Sequence, residues 1–311
     1  MRIAMIGAGG FANRHLRALQ TFEKTEVVAH VARTSGKAEA AAQRWGGTGY
    51  TSCAAMLEKE RPDAAWITVP PGSHGSIEES LIRAGVPFFV EKPLAADREP
   101  PERIHSLLRD HDVVAGVGYH WRALDTLPAL REVLRKSAPQ MVIATWHGDT
   151  PPPAWWHRRS ESGGQMVEQA THVIDLARHL VGDATVISAS GIPYRSRQYS
   201  DVDVDGASTA TLAFSSGAIG TVTATCILPR TFSAGLEIIC DGVGITVRQD
   251  AVTYDFGHEL QEKRTQADPI VTENRAFIEA VNARDPGKLY CDYGEALRTH
   301  RLTMDIVEKA Q

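Results

Sequence analysis

A chain of 311 residues has room for two domains. Its 43% hydrophobic and 23% charged content is ordinary for a globular protein. The net charge is −5, with no basic block to hold nucleic acid and no run near 18 apolar residues to cross a membrane.

The N-terminus, MRIAMIGAGG, has no long apolar segment and no cleavage-site pattern, so it is expected to be a strand and the protein cytoplasmic. RIAMIGAG is a short apolar run ending in glycines, and FANRHLRALQTF has helical spacing. EVVAHVA, the Ala-rich GKAEAAAQRWG, AAWITVP, SIEESLIRAG, PFFVEKP and VVAGVGYH continue the alternation to about residue 120. Strands alternating with helices predict a parallel sheet covered by helices. The pattern then changes. MVIATWHG reads as a strand, DTPPPAWW as a Pro-rich loop, and GGQMVEQATHVIDLARHL as one amphipathic helix. TVISASG, ASTATLAF, AIGTVTATC, LEIICDG, GITVRQD and AVTYDF read as strands of a largely antiparallel sheet. Two helices, TENRAFIEAVNA and GEALRTHRLTMDIVEKA, close the chain. The expected architecture is α/β: a parallel-sheet domain over residues 1–120 and an α/β domain with a mainly antiparallel sheet over 121–311.

The cysteines Cys53, Cys226, Cys240 and Cys291 are far apart and form no C-x-x-C pair. They are expected to be reduced structural thiols. No Cys or His pair has zinc-like spacing, so no metal site is expected.

IGAGGFA places Gly7, Gly9 and Ala12 in a G-x-G-x-x-A arrangement between the first strand and first helix. Gly7 permits the tight turn, Gly9 lets the backbone approach a pyrophosphate, and Ala12 keeps the helix close to the sheet. Such a site usually carries an acid about 20 residues later for the adenosine ribose hydroxyls. Here Ala32 stands in its place, followed by Arg33, Thr34, Ser35 and Lys37. A missing carboxylate beside cations suits a 2′-phosphate, so NADP(H) is expected over NAD(H). A solvated loop with an incidental Arg is the other reading of that stretch.

On a continuous helix, Glu168, His172, Asp175 and His179 share one stripe, because residues three and four apart lie on one face. Met166, Val167, Ala170, Val173, Ile174, Ala177, Leu180 and Val181 form the apolar face. The polar stripe holds two acids, two histidines and no Lys, which is unusual for a solvated surface. Asp175 either touches substrate or caps His179. One of Trp155 and Trp156 is expected in the core and the other in a pocket wall.

VEKPL at residues 90–94, the Gly-rich turn and the GG…E…H…D stretch together resemble the glucose–fructose oxidoreductase and inositol 2-dehydrogenase family, Gfo/Idh/MocA. The resemblance covers nearly the whole chain. It implies a Rossmann domain followed by an α/β domain whose open sheet makes homodimer or homotetramer contacts. It implies that Lys92 lies near the nicotinamide and the reacting hydroxyl. It places Glu168 and His172 at the catalytic acid and His, with Glu in place of the commoner Asp. TVPPGSH puts Pro70 and His74 near the cofactor, with Gly7, Gly9, Gly10, Phe11, Ala12, Glu91 and Lys92. VGYHWR makes Tyr119, His120 and Arg122 substrate candidates, together with Trp156.

Oxidising a secondary alcohol requires removal of its hydroxyl proton. A His with a pKa of about 6.5 can accept that proton or return it. Glu168 can orient the imidazole, and Lys92 can stabilise alkoxide charge. The function read from this sequence is an NAD(P)-dependent dehydrogenase or reductase of CH–OH groups on a sugar, cyclitol or related small molecule. A biosynthetic keto-sugar or imine reductase is the alternative. From another class, a non-catalytic dinucleotide-binding regulator fits the same fold.

Overall fold

The structure is a computed structural model that describes residues 1–195 and 198–310. The chain divides into two compact units. The first comprises Met1–Ala95, Glu99–His120 and Pro269–Leu297, and the second Ala96–Arg98, Trp121–Asp268 and Arg298–Gln311.

The first unit alternates β1 (Arg2–Ile6), α1 (Gly10–Leu19), β2 (Glu26–Val31), α2 (Ser35–Trp45), β3 (Thr48–Tyr50), α3 (Cys53–Glu60), β4 (Ala64–Ile67), α4 (Ser76–Arg83), β5 (Phe88–Val90), α5 (Glu99–Arg109) and β6 (Ala115–Val117). The strands form one sheet in the order β3-β2-β1-β4-β5-β6, all parallel. Helices cover both faces of such a sheet, which is why β1 and β4 read as unbroken apolar runs. The order reverses between β1 and β4, and the crevice at that point is where dinucleotides bind in doubly wound sheets.

The second unit carries α6 (Leu127–Lys136), β7 (Pro139–His147), α7 (Arg159–Ser162), α8 (Gln165–Glu168), α9 (Thr171–Val181), β8 (Ala184–Pro193), β9 (Asp205–Phe214), β10 (Ile219–Thr225), β11 (Ser233–Cys240), β12 (Val243–Val247), β13 (Ala251–Asp255) and β14 (Leu260–Arg264). Its eight strands run β14-β13-β12-β11-β7-β10-β9-β8, and the β7–β10 pair alone is parallel. Period-2 alternation buries Val142, Ala144, Leu212, Val222, Leu236 and Ile238 on one face. The apolar stripe of α9 (Val173, Ile174, Leu176, Ala177) covers them. On the other face Met141 pairs with both Ile219 and Ile239, and all three are exposed. Strand β14, LQEKR, escapes the pattern reading because every residue of it is exposed. Its charges blunt the sheet edge.

Two helices close the chain, α10 (Pro269–Ala283) and α11 (Tyr293–Ala310). An unbroken second domain over 121–311 is therefore corrected: α10 folds with the first unit. Phe277 of α10 packs edge-on against Trp66 of β4 (5.0 Å, 87°) and Phe89 of β5, in a core shared with Ala12, Leu16 and Leu19. That contact spans some two hundred residues and leaves no mark on the local pattern. Among the described residues no helix is long and apolar enough to cross a membrane.

Candidate active site

The Gly-rich turn sits at the carboxyl end of β1. Gly7 has φ +111°, and a Cβ there would fall 2.5–2.8 Å from Thr68, so the turn admits only glycine. A Cβ on Gly9 or Gly10 would meet nothing within 4 Å. The N-cap Gly9 has no side chain to cap the first N–H groups of α1, and no acid stands in the first turn to repel a phosphate. Ala12 is buried against the sheet and Phe11 is exposed.

At the end of β2, Arg33, Thr34, Ser35 and Lys37 are all exposed. Thr34 is the N-cap residue of α2, yet its hydroxyl makes no cap bond, and α2 also has no acid in its first turn. Two cations, two hydroxyls and free helix N–H groups are thus gathered at one helix start. All four cysteines are free thiols. Burial pushes Cys53 and Cys226 up to about 11, so neither is a ready nucleophile.

Lys92 follows β5 and is half-buried. The carboxylate of its neighbour Glu91 is buried and accepts from His15 Nε2 at 2.7 Å. Its side chain is thus engaged inside the unit. Pro70 is half-buried and leads into the turn Pro71–Ser73, which carries the chain to His74. His74 Nδ1 bonds Glu78 at 2.6 Å and Nε2 lies 3.3 Å from the Val69 carbonyl. Glu78 also accepts from the Gly75 N–H, so this loop is held from several sides. Tyr119 is 1% exposed and packs in the core of the first unit.

His120 is buried. Burial first, then the charges of Arg14 and Lys92, push its pKa down to about 3. It is therefore a neutral ring at ordinary pH. Below about pH 6.5 the unfolded chain takes up a proton that folded His120 refuses, so stability falls as pH falls toward 3. At pH 4.5 this costs on the order of 2–3 kcal/mol. His120→Gln should flatten the acid limb of a Tm-against-pH curve; parallel curves for variant and wild type would refute the claim.

In the second unit the expected continuous helix is broken. Helix α8 ends at Glu168, and α9 begins at Thr171. The Ala170 N–H reaches back five residues to the Gln165 carbonyl, and Val173 bonds only three back to Ala170. The wide turn followed by a tight one resets the helical register, a local feature frequent at functional sites. The four-residue stripe is thereby corrected. Glu168 lies on its own turn, where the Trp156 indole N–H donates to its carboxylate at 2.8 Å. Trp156 is fully buried with Val204 and Cys226, so it is the core tryptophan and not a pocket wall; Trp155 is half-buried beside it.

Asp175 sits inside the second unit. It is fully buried, accepts Arg122 Nε and Nη2 at 2.7 and 2.6 Å, and takes a third bond from Thr299 Oγ1 at 2.7 Å. Arg122 is 4% exposed and forked onto Asp175, a tie inside the second unit. His179 contacts Arg131 at the surface.

His172 is buried and lies parallel to two indoles. Trp146 is 5.5 Å away at 22°, and Trp121 is 6.3 Å away at 20°. Trp121 and Trp146 are themselves 6.1 Å apart, tilted by 41°, so the three rings form one aromatic cluster. The sequence reading missed both tryptophans, although Trp146 continues the inward alternation of Val142 and Ala144. It also missed His15, which occupies a core position in the 12-15-16-19 stripe of α1.

The profile described as "Oxidoreductase family, NAD-binding Rossmann fold" matches residues 1–119, and the Gfo/Idh/MocA C-terminal domain matches residues 137–246. A myo-inositol dehydrogenase of Streptomyces leeuwenhoekii is 28% identical over 247 residues, 77% of this chain and 74% of the relative. The chain spans about half the length of two other curated relatives it matches, 48% and 55%. A 3-ketoreductase from Actinomadura kijaniata in complex with NADP and TDP-benzene superposes with a TM-score of 0.87 at 20% identity, covering 99% of this chain and 97% of the other. A levoglucosan dehydrogenase in complex with NADH and levoglucosan gives 0.88 at 21% identity, covering 100% and 97%. These likenesses in structure show the fold, and the matched profiles show the lineage: this chain belongs to the Gfo/Idh/MocA oxidoreductase family.

Proposed function

We propose that the protein interconverts a secondary alcohol and a ketone on a sugar, cyclitol or similar polyhydroxylated small molecule, using a nicotinamide cofactor. The observation that carries this reading is Lys92, placed directly after the carboxyl end of β5 in the sheet that holds the Gly7 turn. Ligands of open α/β sheets bind at that end. In this reading Lys92 holds the reacting oxygen and His172 exchanges its proton, with Glu168 in support. The relatives named for inositol and levoglucosan oxidation support the substrate class. The test is a panel of polyols, anhydrosugars and their ketones, assayed in both directions with NAD(H) and NADP(H). Tight dinucleotide binding without turnover across the panel would favour a regulator and overturn the proposal.

The cofactor is proposed to be NADP(H) in preference to NAD(H). Ala32 offers no carboxylate to the ribose hydroxyls, and Arg33 can donate to a 2′-phosphate. A charge-assisted bond is worth about 1.5–3 kcal/mol, or roughly ten- to a hundred-fold in affinity. Arg33→Ala should raise KM for NADP by that factor and leave KM for NAD nearly unchanged. Equal effects on both cofactors, or a wild type that prefers NAD, would reject it.

The exposed Met141–Ile219–Ile239 row is proposed to bury itself against a second copy of this chain. Ile219→Asp should then lower the mass measured by light scattering. An unchanged mass would place the contact elsewhere.

A further inference from the structure

The first unit contains a buried run of hydrogen bonds, and its direction can be read atom by atom. It starts in the core at Trp66, whose indole nitrogen can only donate, and does so to Asn274 Oδ1 at 2.7 Å. Asn274 Nδ2 lies 2.6 Å from the Ile270 carbonyl, which can only accept. Turning the amide over would set donor against donor at Trp66 and acceptor against acceptor at Ile270, so its orientation is fixed. Nδ2 also lies 2.9 Å from His15 Nδ1, whereas Oδ1 is 3.3 Å away. Asn274 therefore donates to Nδ1, and His15 carries its proton on Nε2. That proton goes to Glu91 Oε1 at 2.7 Å. His15 and Asn274 are fully buried, and Glu91 is 5% exposed. Gly118 walls the slot, for a Cβ there would lie 2.7 Å from Glu91 Oε1.

We infer that the chain Trp66–Asn274–His15–Glu91 is a positioning device for Lys92. It holds Glu91 Oε1 as an acceptor and ties the end of β5, from which Lys92 projects, to α1 and α10. This rests on the proposed role of Lys92 at the reacting oxygen. His15 and Glu91 act through Lys92 and touch neither substrate nor cofactor in this scheme. An imidazole between an amide donor and a carboxyl acceptor is locked in one tautomer. Glu273 lies in the same cluster, with its carboxylate within 4.8 Å of the His15 and Glu91 ligand atoms. The rival reading is therefore a bound metal ion, for which Nε2 would be a ligand and not a donor.

Nitrogen-15 spectra of histidine-labelled protein should show His15 neutral with its proton on Nε2. An imidazolium, an Nδ1–H tautomer, or one equivalent of metal in the purified protein would overturn the chain. In turnover of the best substrate from the panel, His15→Leu should lower kcat at least tenfold with KM for the cofactor within threefold. His15→Gln should restore most of that loss, since its amide can accept from Asn274 and donate to Glu91. Equal losses in the two would show that polarity is irrelevant. Gly118→Ala keeps every member of the chain and displaces only the Glu91 carboxylate, so it covers the case in which His15→Leu fails to fold; a wild-type kcat in that variant would overturn the positioning claim. Lys92→Met separates the two ideas. If it abolishes turnover while the His15 and Gly118 variants stay active, this inference alone fails. If it leaves kcat intact, the role of Lys92 fails and the positioning claim falls with it.

Discussion

His172→Ala is expected to lower kcat by roughly 10²–10⁴-fold, the range for loss of a positioned acid/base. The imidazole is buried in an aromatic cluster with Trp146 and Trp121, so it is packed before any substrate arrives. A preset base loses little entropy on reaching the reactive geometry. The variant should also lose one ionisation from its pH–rate profile, while dinucleotide affinity changes little. Glu168→Gln should cost less, because an amide still accepts from the Trp156 indole and keeps its place on the short turn. If His172→Ala retains both rate and profile, the residue is structural. A larger loss in Glu168→Gln than in His172→Ala would reverse the two roles.

Asp175→Ala is expected to destabilise the second unit by about 3–5 kcal/mol, because it strands a buried guanidinium. Arg122 is forked onto both oxygens of that carboxylate, and Thr299 donates to Oδ1, which also accepts from Arg122 Nη2. Thr299 also accepts from Arg178, whose Nε is paired with Asp183. The carboxylate therefore anchors α9 to the Arg122 segment and to the last helix of the chain. A loss of this size lowers Tm on the order of 10 °C in a domain of this length. Replacing both partners with apolar residues, Asp175→Leu with Arg122→Met, should recover much of the stability, since no charge is then left unpaired. A melt of Asp175→Ala within 2 °C of wild type, or a double variant no better than the single, would contradict this account.

Local sequence determined those features whose cause is local. The alternation of apolar runs and amphipathic segments dictated the parallel sheet, because a strand covered on both faces must be apolar throughout. Gly7 was legible because the turn at the end of β1 has no room for a Cβ, a demand that only glycine meets. The absent acid at Ala32 and the cations after it are equally plain in the sequence. Tertiary structure decided everything that depended on a distant partner. The polar stripe over residues 168–179 was drawn on an ideal helix, and the wide turn at Ala170 broke it. Asp175 and Arg122 both carry charges that look functional, yet each found the other inside the fold, where an unpaired charge would have been costly. Trp156 looked like a sugar platform and became core, with its one polar atom spent on Glu168. The run from Trp66 through Asn274 and His15 to Glu91 joins four elements separated by up to 259 positions. No periodicity encodes it, because hydrogen-bond direction is set only once the amide of Asn274 is wedged between an obligate donor and an obligate acceptor.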